Sequence, residues 1–515
     1  MKPSVLGLAS LIWLACLPVA GSAQESLLRV AGDGDVSTLD AHRASATSDK
    51  TLVGWIYNGL VRFKPGSADP KDLEPDLAER WDTSADGKTW TFHLRQGVKF
   101  QGDWGTLSAD DVVYSLQRSA DPKRSTFSSD FSAVEKVEKV DDLTVRITLK
   151  YADVNFLGRV SNYHGGNIVS RKAAEELGDK FGTKPVGTGP FAFVEQVTQQ
   201  YVKLTAHPGY FRGKPKIDTI MVRVIPSDSA RELAFTSGEI DLMYGKREQR
   251  WVDAARRRPG FNVEIFRPGE YRLLHINQSM PPLDDIRVRR AIAAAINVDD
   301  LVRYVGKDVG PKGCSVVPPG YLGEDCSVRY NFDLAKAKAL LAEAGHKDGI
   351  TIKAIVSNIS AQQPFMEIMQ AQLAKAGIKL EMQVVDHPTY QSQTRKDLSA
   401  LVFYGAARFP IADTYLSEFF HSRATVGTPT AATNFSHCAV ADKEIEQART
   451  APDAEAQKAL WKEAQQKIMD NVCAIPLFEL RQVWARSDRL DFGYELKGAL
   501  NLAPPITEAT TLKPR

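Results

Sequence analysis

An α/β fold is predicted by three features of the sequence. Apolar and polar residues alternate in several short runs, helices with capping residues fall between those runs, and one stretch reads strand, helix, strand in succession. Trp90, Phe92 and Leu94 alternate with Thr91, His93 and Arg95, and Val145, Ile147 and Leu149 with Arg146, Thr148 and Lys150, so each run is a half-buried strand. Between them Ser108, three residues before Asp111, opens a helix through 112–116 with a capping-box pattern.

The most legible stretch is 331–385. Asp333 caps a helix whose apolar face is Leu334, Ala337, Leu340, Leu341 and Ala344, stopped by Gly345. Ile350, Ile352, Ala354 and Val356 then alternate as a strand. Phe365, Ile368, Met369 and Leu373 recur at helical spacing up to Gly377, and Ile378, Leu380, Met382 and Val384 form a second strand. Such a unit is a parallel βαβ with a right-handed crossover. A further helix, through Val288, Ala291, Ile292, Ala295 and Ile296, precedes it. Pro- and Gly-rich loops punctuate 65–75, 185–190, 207–215 and 310–323.

The N-terminus reads as an export signal. Lys2 supplies a positive start, 5–20 is mostly apolar, and Gly21-Ser22-Ala23 sets cleavage before Gln24, leaving 1–23 as signal peptide. Pro18 interrupts an apolar stretch already short for a membrane span. A lipid anchor at Cys16 is disfavoured by Trp13 where a lipobox has leucine. The expected product is periplasmic and soluble. At 515 residues the chain is too long for one core, so two or three domains are expected. With 65 Lys and Arg against 63 Asp and Glu, it has no basic excess to attract nucleic acid.

Beyond Cys16 four cysteines remain, an even number in an oxidising compartment. Cys314 and Cys326 flank one loop, and Cys438 and Cys473 form the second expected disulfide pair. Four buried thiols are the alternative. A metal site is the weaker reading, because no CxxC spacing occurs.

Signatures of a secreted enzyme are missing: no G-x-S-x-G, H-E-x-x-H, Walker A or G-x-G-x-x-G pattern occurs. Gly187-Thr188-Gly189-Pro190 resembles a phosphate cradle only superficially, since Pro190 removes a donor and no lysine follows. His421, His437 and Asp413 are a conceivable cluster that their spacing does not require. No catalytic residue, cofactor or metal is expected.

An ordered set of segments carries a family resemblance. These are 35–41 (DVSTLDA, with Asp40 in place and Ala41 where proline is usual), 56–64, 73–82, 86–101, 108–119, 186–194, 207–221, 237–243 and 286–298. Together the chain resembles the family 5 extracytoplasmic solute-binding proteins, the peptide- and nickel-type receptors of ABC importers. The resemblance implies a two-lobed periplasmic-binding-protein fold of type II, large class, with an inserted extra domain. Domain I is then 24–57, 181–271 and 485–515, the inserted domain II is 58–180, and domain III, the second lobe, is 272–484. It further implies a monomer without catalysis, closing by hinge bending on a small solute between the lobes and delivering it to membrane permease subunits.

The resemblance also points to the ligand by its departures. Laid on 401–421, the family's downstream Asp falls on Asp413, whereas its amine-binding Asp falls on Arg408. The loop 357–364, where the family's carboxylate-binding arginine lies, has none. A guanidinium favours a carboxylate or phosphate, which suggests a peptide, opine-like compound or sugar conjugate with an anionic group. Alternatively, Arg408 pairs internally with Asp413 or Glu418. Tyr404, Phe409 and Tyr415 offer stacking surface or core. Tyr271 and Asn277 beside a crossing strand, Asn434 and Phe435 in a later loop, and Asp40 are further wall candidates. Receptors for a metal chelate or haem, and secreted enzymes, are the competing readings.

Overall fold

The computed structural model describes residues 25–153, 155–427 and 433–514; the expected signal peptide, its cleavage point and Cys16 lie outside them. An eight-stranded mixed sheet runs through the molecule. In spatial order its strands are Leu401–Ala406, Asn262–Ile276, Ala474–Arg486, Leu242–Tyr244, Leu27–Gly32, Thr219–Val224, Tyr201–Ala206 and Phe191–Val197. Leu27–Gly32 lies parallel to both of its neighbours, and the remaining pairings are antiparallel.

Two of these strands are unusually long. Asn262–Ile276 and Ala474–Arg486 pair antiparallel from Asn262 opposite Arg486 to His275 opposite Ala474, with register shifts after Phe266 and Arg272. Their outer ends pack in different cores. Phe266 and Trp484 belong to a large core that also holds Leu28, Trp55, Phe92 and Ile147, whereas Leu274 and Ile475 belong to a second that holds Ile292, Met369 and Leu401. Each long strand therefore passes from one core to the other.

The first core is extended by a separate four-stranded antiparallel sheet, Ala78–Thr83, Thr89–Leu94, Thr144–Leu149 and Val134–Asp141. The two strands read from alternation bury Trp90, Phe92, Leu94, Val145, Ile147 and Leu149. Helix Ala109–Ala120 lies against this sheet, and its capping box forms: Asp111 accepts from both the N–H and the hydroxyl of Ser108.

The 331–385 unit is also as read. Asp333 caps helix Leu334–Glu343, and strands Ile350–Ser357 and Ile378–Val385 pair in parallel across helix Gln363–Lys375. Gly345 and Gly377 take positive φ angles of 87° and 89°, which their helix-stopping role requires. The structure joins Cys314 to Cys326 and Cys438 to Cys473. In the 187–190 turn Gly187 donates to Gln101 and Gly189 to the Ile56 carbonyl. The chain end returns to the first core, where Trp55 donates to the Pro504 carbonyl. No helix among the described residues is long and apolar enough to cross a membrane.

Candidate functional site

Between the two cores lies a cavity of about 720 Å³. On the first side its wall is the start of helix Thr47–Ile56, with Lys50, together with Phe127, Asp130 and His164. On the other side it is Tyr404, Gly405 and Arg408, helix His387–Arg395 and Glu418. The long strand Asn262–Ile276 brings Glu270 and Arg272 to it. Strand periodicity explains the choice: 270 and 272 share one face, while Tyr271 points to the other and is buried in a third core with Tyr415 and Phe419.

The lining is rich in charge. Lys50, Arg247, Arg272, Arg395 and Arg408 face it, against Asp130, Glu270 and Glu418. Glu270 accepts from Arg247 Nη1 at 2.9 Å and also from Arg272 Nη2. Burial alone would raise its pKa, but the two arginines outweigh burial and hold it at about 2. Arg408 donates Nε to Glu418 at 2.5 Å and Nη1 to the Ala407 carbonyl at 3.1 Å, with its guanidinium over the Phe419 ring. Burial pushes Glu418 up despite this partner, and it pushes Asp130 up as well. His164 is stacked between Phe127 and Tyr163, at centroid distances of 4.1 and 3.6 Å. Burial holds it well below the usual histidine range, so it faces the cavity as a neutral imidazole.

Lys50 stands apart from these pairs. Lys50 is only 8% exposed, and its ammonium makes no hydrogen bond or ion pair among the described residues and lies 5.9 Å from the Tyr163 ring centroid. Burial, reinforced by Arg408, brings its pKa down to about 7.

Of the residues singled out in the sequence, the structure brings Arg408 and Tyr404 to the cavity. The others sit in internal contacts. Asp40 forms a buried double contact with Arg118, at 2.7 and 2.5 Å. Tyr271 donates to the Ser315 carbonyl, and Asn277 donates to Asp397 at 2.7 Å. Asp413 accepts from Arg449 at 3.2 Å rather than from Arg408. Asn434 donates to the carbonyls of His421 and Cys438, and Phe435 packs on Tyr404 and His275. Tyr415 is likewise core, and Phe409 packs on Phe63. His421 and His437 do not converge: one pairs with Glu446 at 3.2 Å, the other with Asp397 at 2.9 Å.

Sequence reasoning missed Lys50, Asp130, His164, Glu270 and Arg272. For Arg272 a signal existed, since an arginine inside the apolar run YRLLHI is a charge that needs a buried reason.

The cavity's size and its polar, charged lining suit a small polar solute. A family model described as bacterial extracellular solute-binding proteins, family 5 Middle, matches residues 72–427. Heme-binding protein A of Haemophilus influenzae is 31% identical over 402 residues, covering 71% of this chain and 72% of its own. Among solved structures, the binding protein MoaA of A. tumefaciens R10 in complex with mannopinic acid is 48% identical. It superposes with a TM-score of 0.90 over 95% of this chain and 100% of its own. The binding protein DppA of Helicobacter pylori, in complex with the peptide STSA, is 27% identical with a TM-score of 0.83, covering 95% and 98% of the two chains.

Proposed function

Because the chain belongs to the bacterial extracellular solute-binding proteins of family 5, we propose that it is the periplasmic receptor of an ABC importer for an anionic small solute of the opine or sugar-acid type. One observation carries the choice of ligand: the cavity between the cores is lined by five basic side chains and three carboxylates. A closed cleft with excess positive charge favours an anion, and excluding water strengthens each contact. The likeness to a protein solved with mannopinic acid supports the same choice. Asp413, the position laid on the family's downstream Asp, is occupied by Arg449, and Arg408 stands where the amine-binding Asp would be, which argues against a zwitterionic dipeptide.

The division into a discontinuous first lobe of 24–57, 181–271 and 485–515, an inserted domain of 58–180 and a second lobe of 272–484 belongs to the same proposal. The passage of both long strands from one core to the other supports it. Export through a cleaved leader and a monomeric state are part of it too.

The experiment is a thermal-shift screen of the purified mature protein with mannopinic acid, dipeptides, metal chelates and haem. A ligand that binds only the folded form raises the melting temperature by mass action. A shift with mannopinic acid and none with dipeptides is expected. A shift with dipeptides or haem alone overturns the anionic reading.

A further inference from the structure

The receptor reading leaves open how many charges the solute bears, and two observations on opposite walls of the cavity speak to that. On the first wall, helix Thr47–Ile56 begins without a side-chain cap, because Ala46 occupies the N-cap. The first N–H groups of a helix have no partner within it, and nothing among the described residues accepts from Thr47, Ser48 or Asp49 N–H. Ser45, Ala46 and Thr47 line the cavity. Asp49, in the first turn, spends its carboxylate on the Ser37 N–H and hydroxyl at 2.8 and 2.6 Å and on the Ala46 N–H, not on the N–H groups of Thr47 or Ser48. One turn in stands Lys50, buried, unpaired and lining the same cavity.

On the second wall, Arg272 is 2% exposed, and only its Nη2 is engaged, on Glu270. Its buried Nε has no hydrogen-bond partner among the described residues. Glu270 is shared with Arg247, so the trio Arg247, Glu270 and Arg272 keeps one positive charge uncompensated.

Resting on the receptor reading above, we propose that the solute carries two anionic groups. One is held by the start of helix Thr47–Ile56 together with Lys50, the other by Arg272. A buried cation without a counter-charge is costly, and a carboxylate placed against it removes that cost. A helix N-terminus adds donors and a favourable field for the same group. With an anchor on each wall, a dianion spans the cleft. A monoanion leaves one buried cation unanswered, and selectivity follows from that mismatch.

The test is calorimetric titration with mannopinic acid and its two monoamides, each with one carboxylate neutralised, against wild type, Lys50→Gln and Lys50→Arg. Wild type should bind the diacid about thirtyfold more tightly than either monoamide. Lys50→Gln should lose about that factor for the diacid and cease to discriminate against one monoamide, while still rejecting the other. Lys50→Arg should recover part of the loss. The melting temperature of ligand-free Lys50→Gln shows whether it folds; removing an unpaired buried charge should leave it unchanged or higher. The proposal is overturned if wild type binds monoamide and diacid alike, or if folded Lys50→Gln binds the diacid as wild type does. Should wild type bind none of the three but bind alanyl-alanine, the two-anion assignment and the anionic ligand class fall, while the role as an importer's receptor stands. Should it bind nothing in either set, both fall.

Discussion

Arg408 donates its Nε to Glu418 across 2.5 Å while both residues line the cavity. The pair joins the loop after strand Leu401–Ala406 to helix Ala412–Phe420, so it ties this wall of the cavity together as well as lining it.

Removing Arg408 therefore strands Glu418 in a site where burial already disfavours its charge. Arg408→Ala should lower the unfolding free energy of the ligand-free protein by about 2–3 kcal/mol, because one member of a largely buried pair is left alone. Denaturant unfolding checks this. Arg408→Lys should recover only part, since an ammonium cannot reproduce the planar fork. The affinity loss should be smaller than for Lys50→Gln, whose cation has no partner among the described residues.

Acid should act through Glu270. Burial raises its pKa, but Arg247 and Arg272 bring it from 4.5 to about 2. A carboxylate depressed in the folded state contributes its stability fully above pH 4.5 and loses it as pH falls toward 2. Unfolding of the ligand-free protein should weaken over that window by up to about 3 kcal/mol. In Glu270→Gln this part of the profile should flatten. An identical acid profile in the variant would assign the loss to other carboxylates.

The cysteines give a third expectation. Free-thiol titration of denatured, unreduced protein should find none among Cys314, Cys326, Cys438 and Cys473. The Cys438–Cys473 bridge closes the longer loop, with a separation of 35 against 12. Replacing both its cysteines with serine should cost about 3–4 kcal/mol on the loop-entropy account, more than the same change at Cys314 and Cys326. Thermal unfolding of the two double variants compares them.

Local pattern sufficed for parts of this molecule and failed at the site for a physical reason. The strands at 89–94 and 144–149, the 108 capping box and the 331–385 unit were legible because periodicity and capping are set by near neighbours. The cavity is assembled from positions as distant as Lys50, Asp130, Glu270 and Arg408, and no local pattern joins them. The crossing strand is legible, but which of its faces meets the cavity is not, and the sequence points to Tyr271 and Asn277. Alternation turns 271 inward and leaves 270 and 272 on the cavity face. Asp40 differs again: in the opening motif it makes a buried contact with Arg118, and a motif does not distinguish such a contact from ligand binding.

The final prediction concerns protons. Lys50 sits near pKa 7 because burial disfavours its ammonium and Arg408 repels it, with Glu418, Asp130 and Glu270 opposing the shift; neutral His164 and Tyr163 complete its surroundings. At pH 8 the ligand-free lysine is then mostly uncharged. An anionic group placed beside it raises its pKa, so binding at pH 8 should take up close to one proton, and affinity for mannopinic acid should fall as pH rises above about 7. The sign follows from the lysine being protonated in the complex and largely unprotonated without ligand. Titrations at pH 8 in phosphate and in Tris buffer, whose ionisation enthalpies differ, measure the uptake directly. Lys50→Gln should abolish most of the difference between buffers. If it persists in that variant, the proton goes to another group and Lys50 is not the residue charged by the ligand.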